Sequence, residues 1–189
     1  MVLSLVTGCS SADEPAPAKV SAPAAQEAAE EPAEPSVAPS SAPPVKVGQT
    51  ATWDFLEADE YGENAKVATT FEVTAKSAEY VTSADVDTTN EPENGQYVRL
   101  TLTIKNVGQK PGEIATYGMM KWENADTAAQ DAATLEEVGE GQDLDATYKP
   151  GQAVTGSLVL DVGAKGGTVS YWGGLMDETP AFTVELPKS

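Results

Sequence analysis

The chain has 189 residues, with 30 acidic against 11 basic, one cysteine and no histidine, for a formal net charge of −19. That charge argues strongly against a nucleic-acid partner, because phosphate binding needs a basic face. Lack of histidine removes the commonest general base and metal ligand, and one cysteine permits neither an internal disulfide nor a cysteine-rich zinc site.

At the front, the apolar run 2–6 leads into Val6-Thr7-Gly8-Cys9, the bacterial lipobox pattern of aliphatic, small, small, cysteine. Residues 1–9 therefore read as a truncated lipoprotein signal peptide. The run is short and no Lys or Arg precedes it, so the reading is of the end of a longer leader. In such proteins the thiol of the cysteine, here Cys9, takes a diacylglyceryl group and becomes the new N-terminus. Two acyl chains are enough for stable anchoring. Residues 10–46 follow, rich in Ala, Pro, Ser and Glu and holding eight of the thirteen prolines. They contain no aromatic residue, and their only larger aliphatics are Val20, Val37 and Val45. Such a segment buries too little apolar surface to offset its ordering entropy, so a disordered linker is expected. Its semi-rigid reach would be up to about 110 Å.

From residue 47 the pattern alternates with period two, predicting strands. Residues 50–56 carry Trp53 and Phe55. In 66–76, Val67, Phe71 and Val73 are expected on one face, and a further short strand is expected at 78–82. Residues 97–107 turn Val98, Leu100, Leu102 and Ile104 inward, ending at the turn Asn106-Val107-Gly108. Met120 and Trp122 mark 118–123. The segment 124–138 reads differently, as an acidic, Ala-rich short helix capped by Asp126 or a long loop. Beyond it, 152–162 alternates around Gly156, and 168–172 and 181–186 complete the set. About seven or eight short antiparallel strands, each with one polar face, predict an all-β, immunoglobulin-like sandwich over 47–189.

The blocks GQYVRLTLTIKNVGQKPGEI, YKPGQAVTGSLVLDV and GGTVSYW resemble the immunoglobulin-like domain of unknown function found on lipoproteins of Gram-positive, especially actinobacterial, cells. A small secreted mycobacterial antigen is similar in fold. The resemblance covers about 95–186 and implies fold and location. Its motifs are turn and core residues, so it carries over no catalytic or binding position.

Catalytic signatures are absent from the sequence. There is no GxSxG and no serine with a lysine three residues on, and a Ser-His-Asp triad is impossible without histidine. Gly139-Glu140-Gly141 lacks the remaining glycine and lysine of a phosphate loop. A carboxylate-pair hydrolase is the remote enzymatic alternative, and the expectation is no enzyme and no cofactor. Calcium is the one metal weighed, because Asp85, Asp87, Asn90 and Glu91, with Glu93 beyond, place hard oxygens in one loop. That loop departs from the EF-hand pattern. A second acidic group is Glu136, Glu137, Glu140, Asp143 and Asp145, and both groups also read as solvated loops. For a glycan or protein contact, Trp172 is expected outward beside Gly173-Gly174, with Tyr117, Tyr61 and Met119 as weaker candidates. An outward tryptophan that merely covers a sandwich edge is the plainer alternative. The combined expectation is a lipoprotein on the outer face of the cell membrane, secreted if the anchor is unused. It would be attached through Cys9 and bind an envelope or extracellular protein or glycan without catalysis, with recognition of calcium or a glycan as the alternative.

Overall fold

In the computed structural model, residues 44–59, 61, 64–135, 141–173 and 179–189 are described. Cys9, the expected signal peptide, most of the expected linker and Glu136, Glu137 and Glu140 lie outside the described residues. The strands are β1 (Thr50–Glu57), β2 (Lys66–Val81), β3 (Gln96–Asn106), β4 (Gly112–Ile114), β5 (Met120–Glu123), β6 (Gln130–Asp131), β7 (Ala133–Leu135), β8 (Ala146–Tyr148), β9 (Ala153–Val162), β10 (Thr168–Tyr171) and β11 (Phe182–Glu185).

Period-two alternation gives each long strand one apolar face, and two such faces must bury each other. The result is a first sheet in the order β1-β2-β3-β9-β7 and a second in the order β11-β10-β5-β6, with β4 and β8 forming a separate pair. All ladders between named strands are antiparallel. Lettering β2, β3, β5, β7, β9, β10 and β11 from A to G turns these orders into the A-B-E-D and G-F-C sheets of the immunoglobulin fold. β6 extends the second sheet, and β1 is an extra strand outside A. Strand C of this fold characteristically carries a buried tryptophan, and Trp122 of β5 is buried, its Nε1 donating to the Gly166 carbonyl at 3.0 Å.

Val98, Leu100, Leu102 and Ile104 are all fully buried, as their alternation predicts, and they face Met120, Trp122, Val169 and Val184 across the core. Trp53 of the extra strand closes one flank. Its ring lies 4.9 Å from Phe71 in the first sheet and 5.4 Å from Phe182 in the second, so it ties the two sheets together.

Several expectations are corrected. The strands expected at 66–76 and 78–82 are one strand, β2, whose register slips at Lys76 between Ala75 and Ser77. A second slip, opposite Phe55 and Leu56, leaves Ala68 buried and turns Val67 outward at 44% exposure. One extra residue reverses the facing of everything beyond it. The segment 124–138 contains no helix among its described residues. The Asn124 side chain, not Asp126, organises its start by accepting from the amides of Asp126 at 2.9 Å and Thr127 at 2.8 Å. The chain then forms β6 on the second sheet and β7 on the first, crossing between them at the buried Ala132. Val45 is buried and bridges Val184 in parallel, its amide donating to the Thr183 carbonyl at 2.6 Å.

Candidate functional site

The acidic segment that follows β2 is a flap across the outer face of the first sheet. A 3-10 turn, Ser83–Val86, opens with Thr82, whose hydroxyl caps the Asp85 amide while the Asp85 carboxylate accepts from the Thr82 amide and hydroxyl. Those two donors, the amide foremost, hold the Asp85 carboxyl below its usual range. Val86 is pressed against Tyr97, Val159 and Val81, which point away from the sandwich and are buried only because the flap covers them. The far side of the flap is fixed by Asp161. Its buried carboxylate accepts from the amides of Glu93 at 2.7 Å and Asn94 at 3.1 Å. The Tyr97 hydroxyl donates to the Asn90 carbonyl at 3.2 Å, and Arg99 Nη2 donates to the Asp85 carbonyl at 3.0 Å.

Of the four residues weighed for calcium, Asp85 has its carboxylate engaged by Thr82, and Asp87 ends the turn in the left-handed region at φ 51°. Asn90 lends its carbonyl to Tyr97, and Glu91 stands exposed. Among the described residues no group of three or more acidic, cysteine or histidine side chains comes together to hold an ion. In the second acidic group, Asp145 is taken up by the domain itself, accepting from the amide and hydroxyl of Thr116 at 2.7 Å each. Asp143 accepts from the Asp145 amide at 2.9 Å.

Trp172 belongs to a different surface, the outer face of the second sheet at the end of β10. Its ring lies back on the sheet, with Nε1 donating to Ser170 Oγ at 2.8 Å, and the Lys121 ammonium stands 4.7 Å from the ring centre. Its amide donates to the Met119 carbonyl at 2.8 Å, which places Met119, 42% exposed, alongside. Tyr117, 61% exposed, stands in the same turn, whose Thr116 carbonyl accepts from the Met119 amide. Trp172, Tyr117 and Met119 are thus brought together, whereas Tyr61 stands exposed in the loop after β1. The Nε1 edge of the Trp172 ring is held by Ser170 and one ring face meets the Lys121 ammonium, so the ring is fixed in place beside a cation.

The residues that sequence reasoning passed over are polar and buried. Asn106, fully buried, donates from Nδ2 to the carbonyls of Lys110 at 2.7 Å and Tyr148 at 2.8 Å, and accepts at Oδ1 from Thr69 and Gly108. Asp161 is the other. Both stand in the sequence blocks quoted above, as turn or strand-end residues, and only their burial marks them out.

Strands β2 to β10 form the greater part of this architecture, and the family described as a domain of unknown function (DUF4352) matches residues 60–177. The chain belongs to that family. The sandwich is wider than the DUF4352 match, since β1, which supplies Trp53, and β11, which completes the second sheet, lie beyond it. The domain is similar to the secreted protein MPT63 from Mycobacterium tuberculosis, at 17% identity and a TM-score of 0.48, covering 77% of this chain and 99% of that one. No curated protein matches the chain. Among the described residues no helix is long and apolar enough to cross a membrane.

Proposed function

We propose that the chain is a lipid-anchored extracytoplasmic protein whose DUF4352 sandwich is a non-catalytic binding or scaffolding module at the cell envelope. Cys9 carries the anchor on the outer face of the cell membrane, and the Ala/Pro/Ser/Glu-rich stretch behind it is the stalk. The observation that carries this reading is the sequence of parts. A single cysteine stands in Val6-Thr7-Gly8-Cys9, a proline-rich spacer follows, and among the described residues the first buried one is Val45. A spacer of that composition holds a folded module away from the membrane. The Trp172 surface on the outer face of the second sheet, with Lys121 beside the ring, supports a binding role.

The test is the intact mass of the protein recovered from its host's membrane fraction, expressed from the full upstream reading frame. The expected species begins at Cys9 and carries a diacylglyceryl group, and Cys9→Ala releases the protein from the membrane. A water-soluble species that retains Met1 would overturn the anchor and the stalk.

A further inference from the structure

The clasp that fastens the flap to Asp161 contains the chain's one Asn-Gly pair, Asn94-Gly95. The fold requires that glycine. Its backbone stands at φ 138°, and a Cβ there would lie 2.8 Å from the Gly163 carbonyl oxygen. The same lack of a side chain leaves the Gly95 nitrogen open on the side of the asparagine, and that nitrogen is the nucleophile in the rearrangement to which Asn-Gly pairs are prone. Folding leaves the pair free to react. Asn94 and Gly95 are both exposed, so water reaches them. The amides of Glu93 and Asn94 are held by the Asp161 carboxylate, whereas among the described residues the Gly95 amide donates no hydrogen bond. The Asn94 side chain makes one long contact, from Nδ2 to the Asp161 carbonyl at 3.3 Å. Asn106 shows the contrast, since it is fully buried, tied at both ends of its amide and followed by valine.

We propose that Asn94 is a site of spontaneous covalent modification, and that its conversion unfastens the flap. The Gly95 amide gives its proton to water and its nitrogen bonds to Asn94 Cγ. The Cγ–Nδ2 bond then breaks and ammonia leaves. Water opens the resulting succinimide at either carbonyl to give aspartate or isoaspartate, and nothing is oxidised or reduced. Both products lose the Nδ2 donor to the Asp161 carbonyl and set a second carboxylate beside the buried one of Asp161. Like charges repel strongly where little water screens them. The flap itself offers no countercharge, because its ionisable residues, Asp85, Asp87, Glu91 and Glu93, are all acidic. Isoaspartate also carries the main chain through one additional carbon, which moves Gly95 out of its close fit against Gly163. The far side of the flap then lets go and uncovers the apolar strip of Tyr97 and Val159 beneath it. This does not depend on the lipid anchor.

The test holds the full chain, folded, in warm and mildly alkaline buffer and follows it by peptide mass spectrometry and NMR. We expect an amide-to-acid mass change at Asn94, with isoaspartate among the products, while Asn106 stays intact. In the converted protein, hydrogen exchange at the Glu93 amide should quicken about tenfold and the Tyr97 ring signals should shift, with the β5 and β10 amides as protected as before. Asn94→Asp, made directly, should quicken the same exchange without any incubation. Asn94→Gln, which has to close a larger ring, should remain unmodified over the same period. An Asn94 that stays intact in the folded chain while the urea-unfolded chain converts would overturn the site. Conversion that leaves the Glu93 amide and the Tyr97 signals unmoved would overturn the release of the flap.

Discussion

At Asn106, a fully buried amide ties the end of β3 to the carbonyls of Lys110 and Tyr148 and to the hydroxyl of Thr69. Each partner is a polar group that has lost water, so truncation leaves several of them unsatisfied at once. Asn106→Ala should lower unfolding free energy by about 3 kcal/mol, read from urea midpoints at constant m. Asp161 works in the same way for the flap. Asp161→Ala should cost about 2 kcal/mol and speed hydrogen exchange of the Glu93 and Asn94 amides, with the second sheet left protected. Tyr148 supplies a pH test. Burial foremost, then the carboxylates of Asp145 and Asp143, raises its pKa well above the ordinary 10.0. The folded state therefore keeps its proton where the unfolded state gives it up. Stability from this group is complete below about pH 10 and declines as pH rises past that value. Tyr80, Tyr97 and Tyr171, raised chiefly by burial as well, add to the same decline. Urea midpoints should fall as pH rises from about 10 to about 12, and less steeply in Tyr148→Phe.

Among the elements, β9 shows how tightly the strands are fitted to the loops that cross them. Gly156 bridges Gly141, and a methyl group there would meet the Gln142 carbonyl head-on. Gly156→Ala should therefore cost about 2 kcal/mol, in contrast to the small effect usual at an open strand site. A thermal melt against the parent checks it, and an unchanged melting temperature would mean that the 141–142 crossing moves aside freely. β2 makes the complementary point. Its sixteen residues carry two register slips, one against β1 and one against β3, and each slip decides which side chains are buried beyond it. Alternation alone therefore assigns Phe71 and Val73 correctly and Val67 wrongly, because the slips are set by the neighbouring strands.

For the whole molecule, a formal charge of −19 dominates the response to solution conditions. Among the described residues one ion pair is formed, Lys46 with Glu185 at 3.7 Å, and over the chain 30 acidic residues face 11 basic ones, so repulsion among the excess acids outweighs pairing. Raising ionic strength from about 0.01 M to 0.15 M shortens the screening length from about 30 Å to 8 Å and should raise the melting temperature. Calcium and sodium chloride should act alike at matched ionic strength, because the Asp85 carboxylate is already engaged by Thr82 and Asp161 by the flap amides. A rise specific to calcium would instead locate an ion among the acidic loops.

Sequence alone determined the sandwich, its main strands and most of its core. Those follow from period-two alternation and turn residues, which are local properties of a strand with one buried face. The polar hubs at Asn106 and Asp161, the strands β6 and β7 that cross between the sheets within 130–135, and the cover that the flap lays over Tyr97 and Val159 were decided only by the tertiary structure. Each depends on what lies opposite in space. An asparagine in a turn or an aspartate at a strand end reads as solvated until distant carbonyls and amides close over it. The Trp172 surface stands between the two cases. Its outward direction and its neighbour Ser170, two residues back, are local, but Lys121 and Met119 come from the pairing of β10 with β5, a register that no single strand encodes.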